Sequence, residues 1–390
     1  MIIPGHSVLR AAALGWLVLA GQAFAAAPFH IGICTDPSDP FAESSLGAAQ
    51  LVTEYGAVKD GGYIKHVTST KDVASMAKDP LMKAIVVCPS QEGVAEVYKK
   101  IRASRPEILL LAAQSGDEAA SLQRTADLVV DVDPVSRGFA VPWGAKQLGA
   151  GSLVFLSFPR HLKIAPIARL KAVMAQACKD LDMTFAYEEV LDLKTSKEAA
   201  KAYIAEGVPK WVAKYGAGNA RVAFYCTQDG LAFHVVKQVV AQEKAVFVEE
   251  DCASPLIVDA GLFEIDAKAE QFDFQAILGK IEAAVISKGA SGRIGTAVRG
   301  ADFAFTAGLG EFSKRILEGK GQVTSVENLC EALGKYTPGS AWRGGPERSA
   351  LTGDRTKNRL MVYTDTYVFG KGFLGSTAQA VPDGYFSIKP

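Results

Sequence analysis

The fold is decided by Ala84-Ile85-Val86-Val87-Cys88 and Ile108-Leu109-Leu110-Leu111-Ala112, two short runs that are apolar at every position. Residues 93–104 lie between them with the spacing of an amphipathic helix, and Pro106 follows the end of that helix. Strands without an alternating polar face are typical of a parallel sheet that helices cover on both sides. The segment therefore predicts a right-handed β-α-β unit in a doubly wound α/β sheet.

The same alternation of apolar runs and helical segments extends along most of the chain. The runs of strand character are residues 29–34, 63–67, 84–88, 108–112 and 128–132, followed by 152–157, 185–191, 221–226 and 245–248. The repeat predicts two α/β lobes of similar build. We expect lobe 1 to span residues 28–149 and lobe 2 to span residues 150–290, with the hinge at Gly149-Ala150-Gly151.

The last quarter of the chain has a less regular pattern. A strand followed by a helix predicts a return to lobe 1 over about residues 293–320. Residues 338–358 are rich in Pro, Gly and charged side chains, which predicts a long loop, and residues 360–369 predict a final strand. We expect residues 321–390 to form an irregular C-terminal segment that crosses the hinge or covers a lobe.

Residues 1–25 have the three parts of a Sec signal peptide. Arg10 provides the positive charge, residues 11–20 form an apolar run, and Ala23 and Ala25 place small side chains before a cleavage site. The apolar run is shorter than the roughly 20 residues that a membrane-spanning helix needs. No lipid-attachment cysteine follows the signal. The N-terminus therefore predicts a periplasmic protein that is exported, cleaved and not lipid-anchored.

Composition and motifs limit the function classes. The chain has 42 basic and 42 acidic residues, a balance that gives no support for a nucleic-acid partner. The six cysteines form no C-x-x-C pair and the histidines have no metal-binding spacing, so we expect no metal and no cofactor. No Walker loop, G-x-G-x-x-G opening or H-E-x-x-H motif is present.

Polar side chains follow the predicted strands at their carboxyl ends, where open α/β sheets bind ligands. A turn or helix-cap role is the alternative for each of these residues, and for Asp36 and Ser38 the two roles are equally compatible with the sequence. The candidate binding residues are Asp36, Ser38, Asp39, Phe41, Ser90, Gln91, Gln114 and Ser115 in lobe 1, and Arg160, His161, Thr227, Gln228, Asp229, Glu250 and Asp251 in lobe 2.

Several segments, in order, resemble the type I periplasmic binding proteins of the ribose/galactose-binding and basic-membrane-protein group. The segments that carry the resemblance are Ser38-Asp39-Pro40-Phe41 with Gly47-Ala48-Ala49, Ile167-Ala168-Arg169-Leu170, Thr227-Gln228-Asp229-Gly230, and Arg293-Ile294-Gly295-Thr296 with Leu317-Glu318-Gly319-Lys320. The resemblance implies two doubly wound parallel-sheet lobes that close over a small solute. Asp39 stands where the family has asparagine, and Ile167 stands where the sugar binders have an arginine.

Two function hypotheses follow. The first is a monomeric receptor that binds a small polar solute between the lobes and delivers it to an inner-membrane ABC-type permease or to a sensor. The second is a cofactor-independent amino-acid racemase, because Cys34-Thr35 and Cys226-Thr227 both close strands and resemble the paired thiols of such enzymes. A transcription regulator of this fold would need a DNA-binding segment where this chain has its signal. We also expect a disulfide between Cys226 and Cys252.

Overall fold

The computed structural model describes residues 27–37, 43–89, 91–114, 116–249, 262–266 and 273–389. The predicted signal peptide at residues 1–25 lies outside these ranges. Two seven-stranded sheets, each with helices on both faces, form the described part of the chain. The predicted α/β fold with two mostly parallel sheets is therefore confirmed.

The first sheet is the core of lobe 1. Its strands are β1 (His30–Cys34), β2 (Ile64–Val67), β3 (Met82–Val87), β4 (Leu109–Ala113), β5 (Leu128–Val132), β11 (Trp342–Arg348) and β12 (Arg355–Thr364). They lie in the order β11-β12-β5-β4-β3-β1-β2, and only β11 runs antiparallel to its neighbour. The apolar runs that predicted this sheet are almost wholly buried, as a sheet covered on both faces requires.

The second sheet is the core of lobe 2. Its strands are β6 (Ala150–Ser157), β7 (Thr184–Glu189), β8 (Arg221–Cys226), β9 (Ala245–Val248), β10 (Ile294–Thr296), β13 (Tyr367–Val368) and β14 (Gly372–Phe373). They lie in the order β14-β13-β10-β9-β8-β6-β7, and β13 runs antiparallel to both of its neighbours, β10 and β14.

Helices cover both sheets. Those of lobe 1 are α1 (Glu43–Tyr55), α2 (Thr70–Met76), α3 (Val94–Ser104), α4 (Ala119–Gln123), α11 (Ala301–Leu317) and α12 (Val326–Tyr336). Those of lobe 2 are α5 (Pro134–Gln147), α6 (Pro159–Leu162), α7 (Ala165–Asp180), α8 (Lys197–Tyr215), α9 (Asp229–Ala241) and α10 (Phe274–Ser287). No helix in the described ranges is long and apolar enough to cross a membrane.

The boundary between the lobes differs from the prediction at residues 149 and 150. The chain leaves lobe 1 between Val132 and Pro134, and α5 packs against α7 in lobe 2. The two helices approach so closely that a Cβ atom on Gly138 would lie 2.7 Å from Val173 Cβ. The predicted hinge at Gly149 is instead the turn from α5 into β6, where Gly149 has a φ of 82°.

Two further crossings join the lobes. The predicted return at about residues 293–320 is divided, because β10 pairs with β9 in lobe 2 and only α11 belongs to lobe 1. The third crossing lies between β12 and β13, at residues 365–366. The Asp365 carboxylate fixes this crossing by accepting hydrogen bonds from the backbone N–H groups of Thr366, Gly375 and Ser376.

The prediction of an irregular segment over residues 321–390 was wrong for most of its length. The segment contributes α12 and the β11–β12 hairpin to lobe 1 and the β13–β14 hairpin to lobe 2. Gly344, Gly345 and Pro346 interrupt the expected strand pattern, yet β11 is an edge strand, where proline does no harm to the hydrogen-bond ladder. A Cβ atom on Gly344 would lie 2.3 Å from the Met361 carbonyl oxygen, so this position requires glycine.

Candidate functional site

The carboxyl edges of the two sheets form the candidate site. Each of the three crossings starts at the carboxyl end of a parallel strand, namely β5, β10 and β12. The three connections therefore hold the carboxyl ends of both sets of strands towards the region between the lobes. Ligands of open α/β sheets bind outside these ends, so the side chains that follow the strands are the candidates for the site.

Two predicted residues, His161 and Thr227, come together with Ser157 at the carboxyl edge of lobe 2. His161 Nδ1 lies 3.2 Å from Thr227 Oγ1, and the Thr227 hydroxyl lies 2.7 Å from Ser157 Oγ. Phe158 supports the imidazole, with the two ring centroids 4.2 Å apart. Burial and the neighbouring Arg160 charge lower the pKa of His161, so the imidazole is neutral at pH 7 and has one nitrogen available as an acceptor.

Gln228 provides an unsatisfied acceptor at the same edge. It precedes α9 and makes no side-chain cap bond, and its Oε1 atom is buried without a hydrogen-bond partner among the described residues. Asp229 begins α9 beside it and is half-buried. A buried carbonyl oxygen without a partner is costly in a folded protein, so this atom is suited to receive a donor from a bound molecule.

Arg160 has a different role from the one predicted. Its guanidinium forms a bidentate ion pair with Asp192, at 2.8 and 3.1 Å, and lies over the Phe158 ring. The side chain is exposed on the short helix α6. Arg160 therefore ties α6, which also carries His161, to the segment after β7, and its charge is already balanced by a carboxylate.

The described candidates of lobe 1 divide into two groups. Asp36 and Gln114 are half-buried directly after β1 and β4, and Gln114 has the left-handed φ of 45° that few residues other than glycine adopt. Gln91 is buried, and its amide binds both the Cys34 thiol and the Thr70 hydroxyl. Gln91 thus joins β1, α2 and the loop after β3, which is the structural alternative to ligand binding.

The remaining candidates lie outside the described residues. They are Ser38, Asp39, Phe41, Ser90, Ser115, Glu250 and Asp251.

Arg299 is a prominent group that the sequence interpretation missed. It follows β10 at the second crossing, with its guanidinium carbon 3.2 Å from the Phe274 ring centroid in lobe 2 and 4.3 Å from the Phe303 ring centroid in lobe 1. Burial lowers its pKa to about 9, although the charges of Glu43 and Asp273 oppose the shift. One terminal nitrogen, Nη1, is buried and has no hydrogen-bond partner among the described residues. The signal was available, because Arg299 is a charged residue just after a predicted strand.

The cysteines do not form the arrangement that a racemase needs. Cys34 lies among the side chains under α2 and α3, whereas Cys226 lies in the separate core under α8 and α9. Both side chains are fully buried, and burial raises the pKa of Cys34 to about 11 and that of Cys226 far above its usual value. Cys252, the expected disulfide partner of Cys226, lies outside the described residues.

Within the described ranges, no group of three or more His, Cys, Asp or Glu side chains converges in a metal-binding arrangement.

A cavity of about 1060 Å³ lies beside the first and third crossings, and Gln114 is the one predicted residue among those that line it.

Sequence comparison assigns the family. The model of a family described as protein of unknown function (DUF3798) matches residues 29–295. The chain belongs to the DUF3798 family. A second family model matches residues 306–388, which comprise most of α11 and the C-terminal hairpins. The DUF3798 match spans the predicted residues of both carboxyl edges.

The chain is also similar to a protein of known sequence and to a solved structure. The chain is 39% identical over 177 residues to an uncharacterized protein of Treponema pallidum (strain Nichols), and the alignment covers 42% of this chain and 80% of that protein. The crystal structure of a proposed transcriptional regulator from Clostridium difficile 630 is similar with a TM-score of 0.77 at 19% identity, covering 87% of this chain and 99% of that chain. This DUF3798 protein thus shares with that structure an α/β fold of two lobes, each built on a mostly parallel sheet.

Proposed function

We propose that the protein is a periplasmic receptor that binds one small polar solute between its lobes and presents it to an inner-membrane ABC-type permease or to a sensor. The fold supports the binding of a small solute between the lobes, and the signal-like residues 1–25 support a periplasmic location. The permease or sensor follows from the resemblance to periplasmic binding proteins.

One observation carries the proposal. Gln228 Oε1 and Arg299 Nη1 are an acceptor and a donor, both buried and both without a hydrogen-bond partner among the described residues. They follow β8 and β10, which β9 separates in the same parallel sheet, so the two strands that precede them lie about 10 Å apart. A small molecule that offers a donor to one and an acceptor to the other would satisfy both, and such a molecule is polar.

The geometry of Arg299 also suggests how binding and closure are linked. Its guanidinium is held between a ring from lobe 2 and a ring from lobe 1, so any rotation of the lobes changes its surroundings. A solute that accepts a hydrogen bond from Nη1 would favour the arrangement in which both rings contact Arg299. Closure of this kind by rigid lobes around a few crossing residues is the usual response of two-lobed receptors.

A thermal-shift screen of sugars, amino acids, nucleosides and polyamines tests the proposal. At a concentration about 100 times its Kd, a solute stabilises the folded state by about 2.7 kcal/mol. We expect at least one solute to raise the Tm of the wild-type protein, and Gln228→Ala to abolish most of that rise.

Gln275→Ala is the matched control, because Gln275 is an exposed glutamine of the same lobe. Its Tm rise should equal that of the wild-type protein. A solute that stabilises the wild-type protein and Gln228→Ala equally would contradict the proposed site.

A further inference from the structure

The cavity of about 1060 Å³ lies mainly on a face of the lobe 1 sheet. Gln114, Val132 and Asp133 extend its lining to the carboxyl ends of β4 and β5, but neither Gln228 nor Arg299 of the proposed solute site lines it. Alternate residues of β5 and β12, including Val129, Asp131, Arg359 and Met361, form its floor. These positions are in the middle of their strands. The first turns of α5 and α7 and residues 379–386 form the opposite wall, so the cavity is bounded by both lobes.

Arginine dominates the charged lining of this cavity. Six arginines line it: Arg137, Arg169, Arg343, Arg348, Arg355 and Arg359. Five carboxylates are also present: Asp117, Asp131, Asp133, Glu347 and Asp383. Whether the cavity attracts an anion depends on which of these charges already have partners.

Every one of the five carboxylates is engaged. Asp131 and Glu347 both pair with Arg359 at 2.8 Å, and Asp383 pairs with Arg348 at 2.8 Å. Two arginines are thus the ion-pair partners of three of the acids.

The other two carboxylates cap helices. Asp133 accepts from the backbone N–H of Val135 and from the Ser136 hydroxyl, and Asp117 accepts from the N–H groups of Gly93 and Ala95. Such caps satisfy the backbone donors of a first helical turn and leave the carboxylates committed there.

Three arginines keep donors for a ligand. Arg169, Arg343 and Arg355 form no ion pair with any carboxylate of the described residues. Arg169 donates through Nη2 to the Phe386 carbonyl, whereas its Nε atom is buried without a partner. Arg343 donates through Nη1 to the Thr377 carbonyl. Each guanidinium has five N–H donors in a planar fork, so most of these donors are unused.

Two more features of the lining define the ligand. The N-terminus of α7 opens onto the cavity with Ala165 and Pro166, has no side-chain cap, and adds a positive partial charge. Leu122, Val129 and Met361 supply an apolar surface beside the arginines. The volume is in the range of small-molecule pockets, roughly 300–1,000 Å³.

We propose that this cavity binds an organic anion, a phosphate, sulfonate or carboxylate group attached to an apolar body. The anionic group contacts Arg169 and Arg355, and the apolar body lies on the sheet face. Arg343 adds a further positive charge near the other end of β11. This site is additional to the solute site at the carboxyl edges. Because both lobes line the cavity, the bound anion also contacts both sides of the hinge.

Isothermal titration with phenyl phosphate tests the site on the purified full chain. We expect phenyl phosphate to bind more tightly than inorganic phosphate, which lacks the apolar body, and more tightly than benzyl alcohol, which lacks the charge. Arg169→Gln and Arg355→Gln should each weaken phenyl phosphate binding at least about tenfold, because each removes a charge-assisted hydrogen bond. Arg355 has no described partner and is exposed, so its replacement does not disturb folding.

Two controls separate this site from others. Arg124→Gln removes an exposed arginine directly after α4 that does not line the cavity, and it should leave binding unchanged. Gln228→Ala should also leave phenyl phosphate binding unchanged, whether or not the solute site exists. The proposal is overturned if phenyl phosphate does not bind at up to about 10 mM, if both arginine variants bind it as the wild-type protein does, or if benzyl alcohol binds equally well.

Discussion

His161 Nδ1 lies 3.2 Å from Thr227 Oγ1, and this contact joins the loop after β6 to the loop after β8. The two side chains were predicted separately from strand-end positions, and the structure places them together at the carboxyl edge of lobe 2. Their environment has a measurable consequence for the protonation of the imidazole.

His161 should titrate below the usual histidine pKa of about 6.5. Burial disfavours the charged imidazolium, and the Arg160 charge opposes it as well. The unfolded chain therefore takes up the proton first, and the free energy of unfolding should decrease as the pH falls below about 6.5 towards the folded pKa. NMR titration of the imidazole C–H signal measures the folded pKa, and His161→Gln identifies the signal. A folded pKa at or above 6.5 would show that this description of the site is wrong.

Glu311 should be important for the stability of lobe 1. Its carboxylate is almost fully buried on α11 and accepts hydrogen bonds from Lys335 at 2.9 Å, Arg315 at 2.7 Å and the Tyr55 hydroxyl. Burial raises the pKa of Glu311, but the three hydrogen bonds outweigh it and hold the pKa at about 2. Glu311→Gln should lower the free energy of unfolding by about 2 kcal/mol, because it removes the charged acceptor of three hydrogen bonds, although Lys335 keeps Glu54 and Arg315 keeps Glu331 as partners.

Urea denaturation of the Glu311→Gln variant provides the measurement. Glu327→Gln on α12 is the matched control, because Glu327 is exposed, and it should change the free energy of unfolding by less than about 0.5 kcal/mol. Because the folded pKa of Glu311 is lowered, its contribution is complete above the unfolded pKa of about 4.3 and is lost as the pH falls towards 2. Equal effects of the two substitutions would contradict the assigned role of Glu311.

Cys34 and Cys226 should be unreactive in the native protein. Both thiols are fully buried, and their raised pKa values leave almost no thiolate at about pH 8. Maleimide labelling followed by peptide mass spectrometry should modify neither residue before unfolding and both after unfolding. Rapid labelling of either residue in the folded protein would restore the case for thiol chemistry between the lobes.

The sheets could be predicted from the sequence because their strands are buried on both faces. Runs such as residues 84–88 and 108–112 have no polar position, and only a covered parallel sheet accommodates several such runs separated by helices. The hairpin of β11 and β12 could not be predicted in this way. Arg343 and Gly344 lie in an edge strand at the rim of the molecule, where the alternation of buried and exposed positions is weak.

The prediction of the lobe boundary was wrong for a related reason. Glycines usually mark linkers, and Gly149 is in a turn, but the chain crosses between the lobes at Asp133, which reads as an ordinary helix cap. Whether a helix packs on the lobe before it or after it depends on tertiary contacts, such as the close approach of Gly138 to Val173.

The candidate site was predicted in part. Strand-end position identified His161, Thr227 and Gln228 correctly as neighbours at one edge. The same rule also selected Gln91, whose amide is used inside lobe 1, because position alone does not show which way a side chain turns. Arg299 was missed because its burial between two phenylalanine rings depends on residues distant in sequence.

Native mass spectrometry of the protein purified from its own host tests the central claim most directly. The account predicts one retained small polar molecule per chain, present in the wild-type protein and in Gln275→Ala, and absent or strongly reduced in Gln228→Ala. A wild-type mass that equals the mass of the polypeptide alone, even after incubation with a small-molecule extract of the host, would contradict the account.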